Sequence, residues 1–358
     1  MSRSRIAAWR PSLPVVVPVV ATAVGLLIGL LLILATGAAL SETLSSMWSG
    51  MVGNSFSAGT SLNRIAVLAL VGIGFVLAMR AGLFNVGGEG QISVGGLAAA
   101  AVALKLVGGL PAPLAIILTL AAGAAAGAVW AGIAGALRAY RGTNEVISTL
   151  LLNFIGIGMV SLAVHQESLL RQPATTVNTL PTTLPMPEAT HLPLVLGQGS
   201  PANGGIILAL AVLIAAGVAL RYGALGMRLR AVGLGPGAAL RGGLDTGRTQ
   251  VLAMSLSGAT AGAAGALLVL AVPFVLQDGF SSGYGFDGLV VGLLARGSVL
   301  GVLAGAVLFG LLRSAGVALE IGVGIPSETV LIVQATIIIA VAGTAVLARG
   351  NQSRSDLI

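Results

Sequence analysis

The chain has 358 residues, 56% of them hydrophobic and only 8% charged, where soluble domains carry about 25% charged residues. This excludes an ordinary soluble enzyme and a disordered chain, and it points to a polytopic membrane protein. The net charge of +7 comes from arginines set between apolar runs, so it reads as a topology signal rather than a nucleic-acid surface.

Residues 1–14 form a basic tail with Arg3, Arg5 and Arg10. Val15–Leu40 carries no charge and is far longer than the roughly 7–15 residues of a signal-peptide core, so it is expected to be a retained span. Ile65–Met79 lies between Arg64 and Arg80 and reaches only about 22 Å at ~1.5 Å per residue, short of a ~30 Å hydrocarbon core. It must extend through its flanks or sit in a thinned or protein-lined place. Ser93–Leu104, Pro111–Leu137 and Val146–Val164 follow. Residues 166–203 hold Pro173, Pro181, Pro185, Pro187, Pro193 and Pro201 and read as a long extracytoplasmic loop, with a small helical cap as the alternative. Gly205–Leu220, Thr249–Val272, the short Gly288–Ala295, Gly297–Leu312 and Thr329–Ala348 complete the set, and 349–358 is a second tail.

The fold class expected is therefore an all-α polytopic membrane protein with about ten transmembrane segments, some short or discontinuous, spread over 15–348. An even count with the N-terminus inside places 14 of the 18 basic residues on the cytoplasmic side and leaves Arg64, Lys105, Arg171 and Arg313 outside or buried. Both termini are then cytoplasmic. The pairs Gly123/Gly127, Gly258/Gly262 and Gly301/Gly305 let helix backbones approach closely. Gly72/Gly74 and Gly156/Gly158 lie in apolar runs and read as packing glycines, not a dinucleotide fingerprint.

Enzyme signatures are lacking. The only lysine, Lys105, sits between Leu104 and Leu106, so there is no Walker motif. Cysteine is absent and His165 and His191 are isolated, which disfavours zinc. Polar residues interrupt the apolar background in a few places. Arg80–Gln91 carries Asn85, Glu89 and Gln91 among Gly82, Gly87, Gly88 and Gly90, which would permit an unwound helix at membrane depth. An intramembrane carboxylate is a functional candidate, against a plain loop with a solvated Glu89. In Gly142–Asn153, Thr143 or Asn144 suits a helix N-cap with Glu145 in the first turn. Asn153 lies about two turns deeper, where it faces a neighbour or a pathway. Gly226–Arg248 is basic and has a Pro–Gly break, a short Ala-rich helix Gly237–Arg241 and then Gly242-Gly243. It is either a docking element or a plain positive-inside loop. Gln277–Asp287 offers Phe280, Tyr284, Phe286 and two carboxylates, as a gate, a docking surface or a solvated loop. The breaks at Phe84–Gln91 and Gln277–Asp287 echo each other, as paired broken segments do in transporters.

The segments RAGLFNVGGEGQ, GTNEVISTLLLN and GFDGLVVGLLARGSVLGVLAGAVLFGLLRSAG resemble the transmembrane permease subunits of bacterial ABC importers. The group is the branched-chain amino acid/monosaccharide permease superfamily, and the resemblance is nearest to its nucleoside (guanosine-type) branch. It covers residues 60–345. It implies a non-enzymatic permease of the bacterial plasma membrane that moves nucleosides, with monosaccharides or another small solute as the alternative. An ion-coupled secondary transporter or channel is the alternative of another class. The implied substrate pathway comprises Phe84, Asn85, Glu89, Gln91, Asn144, Asn153 and Phe154. Residues 221–248 match the family's ATPase coupling loop, with Arg228, Arg230, Gly235, Pro236, Ala238, Ala239, Gly242 and Gly243 as its residues. The family often has an acidic residue just before the paired alanines, where this chain has Gly237. Phe280, Tyr284, Phe286 and Asp287 are implied as an outer gate or binding-protein dock. Implied partners are ABC ATPase subunits holding MgATP, a second permease (identical or a paralogue), an extracytoplasmic substrate-binding (lipo)protein and membrane lipid. No cofactor, metal or nucleic acid is expected in this chain.

Overall fold

Long uncharged runs satisfy their backbone polar groups internally, and in a bilayer only helices and closed barrels do so. The computed structural model describes residues 23–25, 27–31, 37–173, 180–326, 329, 332 and 334–336. Among them the chain is helical, with three isolated β-bridges. In order, the helices are α1 (Leu40–Met51), α2 (Ser55–Arg80), α3 (Gly88–Lys105), α4 (Ala112–Arg141), α5 (Glu145–His165), α6 (Gly205–Tyr222), α7 (Ala224–Leu234), α8 (Pro236–Arg241), α9 (Thr246–Val269), α10 (Tyr284–Leu294) and α11 (Val299–Val323). The expected spans Val15–Leu40 and Thr329–Ala348, and both tails, lie wholly or mostly outside the described residues.

Six of these helices, α2, α4, α5, α6, α9 and α11, are long and apolar enough to cross a membrane. The all-α, multi-pass expectation holds at that level. Of the options for the short second segment, extension through its flank is the one found: α2 reaches N-terminally to Ser55 and spans 26 residues, carrying Arg64 inside it. Asn54 caps it by accepting from Ser57 N at 2.8 Å. The Arg64 guanidinium donates to Ser314 Oγ at 2.8 Å. The helix α1 was not expected, because LSETLSSMWSGM has no continuous apolar run.

The chain divides into two units, 51–314 and the two terminal portions 1–50 and 315–358. In the smaller unit, Thr43 and Leu319 are buried and Ser46 of α1 faces Gly322 of α11. In the larger unit, α2 and α9 are mostly buried, while α4, α5 and α6 keep most of their apolar surface outward. The centre depends on small residues. A methyl group on Gly258 would collide with the Gly127 carbonyl, and one on Gly262 with that of Gly123. The paired glycines of α4 and α9 thus form one backbone-to-backbone seam. Gly72 and Gly74 are packing glycines against Val291 and Thr260, and Gly156 abuts Gly90, whereas Gly158 faces open space.

The loop after α5 is irregular, with one 3-10 turn at Glu188–Thr190 rather than a helical cap among its described residues. It is tied to the α9–α10 connection. Thr183 N donates to Leu276 O at 3.0 Å, Met186 N to Phe274 O at 2.7 Å, and the His191 ring stacks on Phe274 at 3.8 Å.

Candidate functional site

The chain leaves α2 sharply. Gly82 takes φ +74°, a left-handed turn that glycine adopts without strain. Leu83–Val86 then runs without secondary structure, and α3 starts at Gly88. The unwound stretch is therefore shorter than the glycines suggested, and Glu89 and Gln91 stand in the first turn of α3. Non-helical backbone inside an apolar bundle needs polar partners, and so do the first amides of a helix.

One face of α5 supplies many of them. Glu145, Thr149 and Asn153 recur every four residues and so lie on one side of that helix. Glu145 Oε1 accepts from Phe84 N at 3.4 Å, and Thr149 Oγ1 accepts from Val86 N at 3.3 Å. Asn153 donates to Val86 O at 2.9 Å and accepts from Gly90 N at 2.8 Å. This stitches the break backbone group by backbone group. Arg138 Nε pairs with the other Glu145 oxygen, Oε2, at 3.4 Å. Asn144 caps α5 by accepting from Val146 N and Ile147 N.

Asn85 and Gln91 close the break from the other side. Their amides are reciprocally bonded, at 3.0 and 2.9 Å. Asn85 also donates to Ser257 Oγ of α9 at 2.7 Å and accepts from Gly87 N at 2.9 Å. The free volume beside them is about 10 Å³, room for one water. Glu89 reaches the start of α10: Gly283 N donates to one of its oxygens at 3.0 Å and Gly285 N to the other at 2.7 Å. The two polar breaks that echo each other in sequence thus meet in space.

On the far side of that junction, Asp287 pairs with Arg313 at 2.7 Å. The Arg313 guanidinium lies 4.0 Å over the Tyr284 ring and donates to Ser282 O. Phe280 seats against Gly96, whereas Phe286 is half exposed. Phe84 meets Phe75 edge-on at 5.2 Å with its outer side exposed, and Phe154 is 68% exposed. Neither Phe84 nor Phe154 joins the polar cluster. Nearby, a recess of about 300 Å³ is lined by Phe56, Thr60, Asn63, Arg64, Asn203 and Tyr284 among others.

At the opposite end α7 and α8 form a pair broken at Gly235, with Pro236 in the first turn of α8. Leu234 and Leu240 are 91% and 62% exposed, Arg228 and Ala238 are exposed, and Ala239 is buried. Arg230 Nε donates to Gly226 O. Gly242 follows α8, and Gly243, at φ +82°, turns the chain toward α9. Gly233 lies directly against the backbone of Arg80–Gly82, where a side chain would strike Arg80 O. The exposed pair is thereby in backbone contact with the residues that open the break.

Ser257 and the Gly233–Gly82 contact were not singled out from sequence; Thr149 stood out only as a polar residue of its stretch and Arg313 only as a basic residue outside or buried, without their partners. A lone Ser in AMSLSGATAG gives no periodic signal, and the others need the three-dimensional pairing.

Among the described residues the chain is thus an all-α bundle of membrane-length helices, with a polar break bonded between them and an exposed helix pair at one end. Residues 57–342 match the family described as branched-chain amino acid transport system / permease component. The guanosine ABC transporter permease protein NupP of Bacillus subtilis (strain 168) is 33% identical over 310 residues, 86% of this chain and 87% of that protein. The nucleoside ABC transporter permease protein NupB of Lactococcus lactis subsp. cremoris is 33% identical over 296 residues, 81% and 80% of the two chains. The glucose ABC transporter permease protein TsgB13 of Haloferax volcanii is 30% identical over 315 residues, 82% and 81%. No solved structure matches the chain. The chain belongs to this family of ABC permeases and is a multi-pass plasma-membrane protein. Its relatives are permease subunits, not ATPases, and the family implies separate ATPase and substrate-binding subunits.

Proposed function

We propose that this chain is the permease of an ABC importer for nucleosides, driven by MgATP hydrolysis in separate ATPase subunits that seat on α7–α8. It works beside a second permease, identical or a paralogue, and receives solute from an extracytoplasmic binding (lipo)protein. The observation that carries the reading is the path of direct contacts from the exposed α7–α8 pair, through Gly233 against Arg80–Gly82, to the pinned break and on through Glu89 to α10. A push on α7 reaches the start of the break without an intervening flexible segment. Two relatives named for guanosine and nucleosides support the solute. The relative named for glucose keeps monosaccharides as the second reading.

The substrate pathway runs beside Asn85, Glu89, Gln91 and Asn153, with Phe84, Asn144 and Phe154 around it. In the arrangement described it is shut, since the space next to Asn85 and Gln91 admits only about one water. Phe280, Tyr284, Phe286 and Asp287 form the outer gate. The about-ten-span topology with cytoplasmic termini is supported by how the arginines group. Arg80, Arg221, Arg230 and Arg296 line one cavity at the α7 end, whereas Arg64 and Arg313 bond at the other.

The test is uptake of labelled guanosine into cells or proteoliposomes holding the full complex, with guanosine, ribose, glucose and riboflavin as competitors. Guanosine competing best and uptake failing on ATP depletion supports the proposal. Sugar competing best moves the solute to the second reading. Uptake that survives ATP depletion and stops with a protonophore overturns the ABC mechanism.

A further inference from the structure

The cavity at the α7 end of the bundle is separate from the pinned break. It has a volume of about 670 Å³ and opens between α6 and the start of α11. One wall is a single stripe of α6: Leu210, Leu213, Ile214, Gly217 and Val218, ending in Arg221. Leu300 and Leu303 of α11 face it. The outward members are bare, with Ile214 58% and Leu300 78% exposed. From Leu210 to Arg221 the stripe is about 16 Å long at ~1.5 Å per residue, which is one leaflet of a ~30 Å hydrocarbon core.

All the charge sits at one end of this groove and has one sign. Arg80, Arg221, Arg230 and Arg296 line it, and no carboxylate does. None of the four forms a salt bridge among the described residues. Arg80 donates to Gly297 O at 2.6 Å, yet its Nε is buried with no partner. A buried guanidinium donor without an acceptor is costly. Arg80 alone of the four has such a donor; Arg230 Nε bonds Gly226 O, Arg221 lies over the Tyr222 ring, and Arg221, Arg230 and Arg296 are exposed. Four cations with no carboxylate among them, around an apolar, leaflet-long groove, match an anion with a hydrocarbon tail.

We infer that this groove is a binding site for an anionic phospholipid, its phosphate on the four guanidiniums and an acyl chain along the α6 stripe. A basic pocket between membrane helices is a recurrent way to hold such headgroups. A free phosphate would use the arginines and leave the apolar stripe bare, so the groove favours the lipid. The site does not depend on which solute is carried.

The test is lipid retention by the purified complex, delipidated and then titrated with mixed micelles of detergent and dioleoyl phosphatidylglycerol or dioleoyl phosphatidylcholine. Native mass spectrometry reads bound lipid. The expected result is phosphatidylglycerol bound at least tenfold more tightly than phosphatidylcholine, at about 1 kcal/mol per arginine. The double variant R221Q/R296Q is expected to weaken it about 25-fold, roughly fivefold per charge removed. R221K/R296K, which keeps the charges, retains most of the affinity. Both positions are exposed at the groove rim, so neither substitution perturbs the core. Equal binding of the two lipids, or phosphatidylglycerol binding indifferent to R221Q/R296Q, overturns the inference. So does full displacement by millimolar inorganic phosphate, which would make the site one for a free anion. A photo-crosslinker at Leu300 is expected to capture lipid, and capture of a second copy of the chain instead would make the groove a protein interface.

Discussion

Glu89, in the first turn of α3, accepts the amide hydrogen of Gly285 at 2.7 Å, from 196 residues further along the chain. Its other oxygen takes Gly283 N at 3.0 Å. A carboxylate at a helix N-terminus satisfies orphan amides and meets the positive end of the dipole. Glu89 therefore acts as the N-terminal anchor of α10, an 11-residue helix about 16 Å long that cannot cross a bilayer alone. Glu89→Gln presents an NH₂ group to one of two donors. It is expected to lower thermal stability in detergent by about 1.5–3 kcal/mol, the worth of hydrogen bonds to a charged group. Uptake falls while membrane insertion, read by fractionation, is unchanged. Wild-type uptake in this variant would remove Glu89 from the mechanism.

Asn153 tests the stitching of the break. Asn153→Ala strands Gly90 N and Val86 O inside the bundle, at about 1–3 kcal/mol for each buried group left unpaired. Thr149 bonds the same short segment, at Val86 N. A double-mutant cycle of Asn153→Ala with Thr149→Ala, scored by thermal unfolding, is expected to show a coupling above about 0.5 kcal/mol. Strict additivity would mean the segment is not held as one unit.

How far the sequence reached depended on the kind of signal. The break itself was visible, because Asn85, Glu89 and Gln91 stand out against an apolar run. The cap at Asn144 was visible as one of two options, because capping is local. The short helix at Pro236–Arg241 was placed within a residue, from a Pro–Gly break and paired alanines. The partners were not visible. Ser257 lies 172 residues from Asn85, and the Gly283 amide 194 from Glu89, so no local pattern encodes either. Arg64 bounded the apolar run in sequence and was expected outside or buried, with extension of the segment past it as one option. It sits inside α2 because Ser314 Oγ accepts from it.

The α4–α9 seam gives a stability prediction with an internal control. Gly258→Ala places a methyl group on the Gly127 carbonyl and must push the helices apart. A loss of about 1–3 kcal/mol is expected, the usual cost of overpacking. Gly158 has nothing within 4 Å of an added methyl group. Gly158→Ala is expected to be neutral or stabilising by up to about 1 kcal/mol, through helix propensity. Melting temperatures of the two variants in one detergent decide the matter, and equal shifts would contradict the seam.

The coupling path makes the last prediction. Gly233 lies against Arg80 O, Gly82 N and Ala81 C, so Gly233→Val must move α7 away from the end of α2. The exposed faces of α7 and α8, including Leu234 and Leu240, keep their surface for a partner. An ATPase subunit should therefore still bind, and ATP should still be hydrolysed. Transport is expected to fall about fivefold or more, since a displacement costing ~1–3 kcal/mol at this contact is worth that factor. The measurement is ATP hydrolysis and guanosine uptake on the same reconstituted complex. Hydrolysis retained with uptake lost places Gly233 on the route between them. Parallel loss of both would mean the substitution merely unseats the ATPase, and retention of both would show that the Gly233–Gly82 contact carries no coupling.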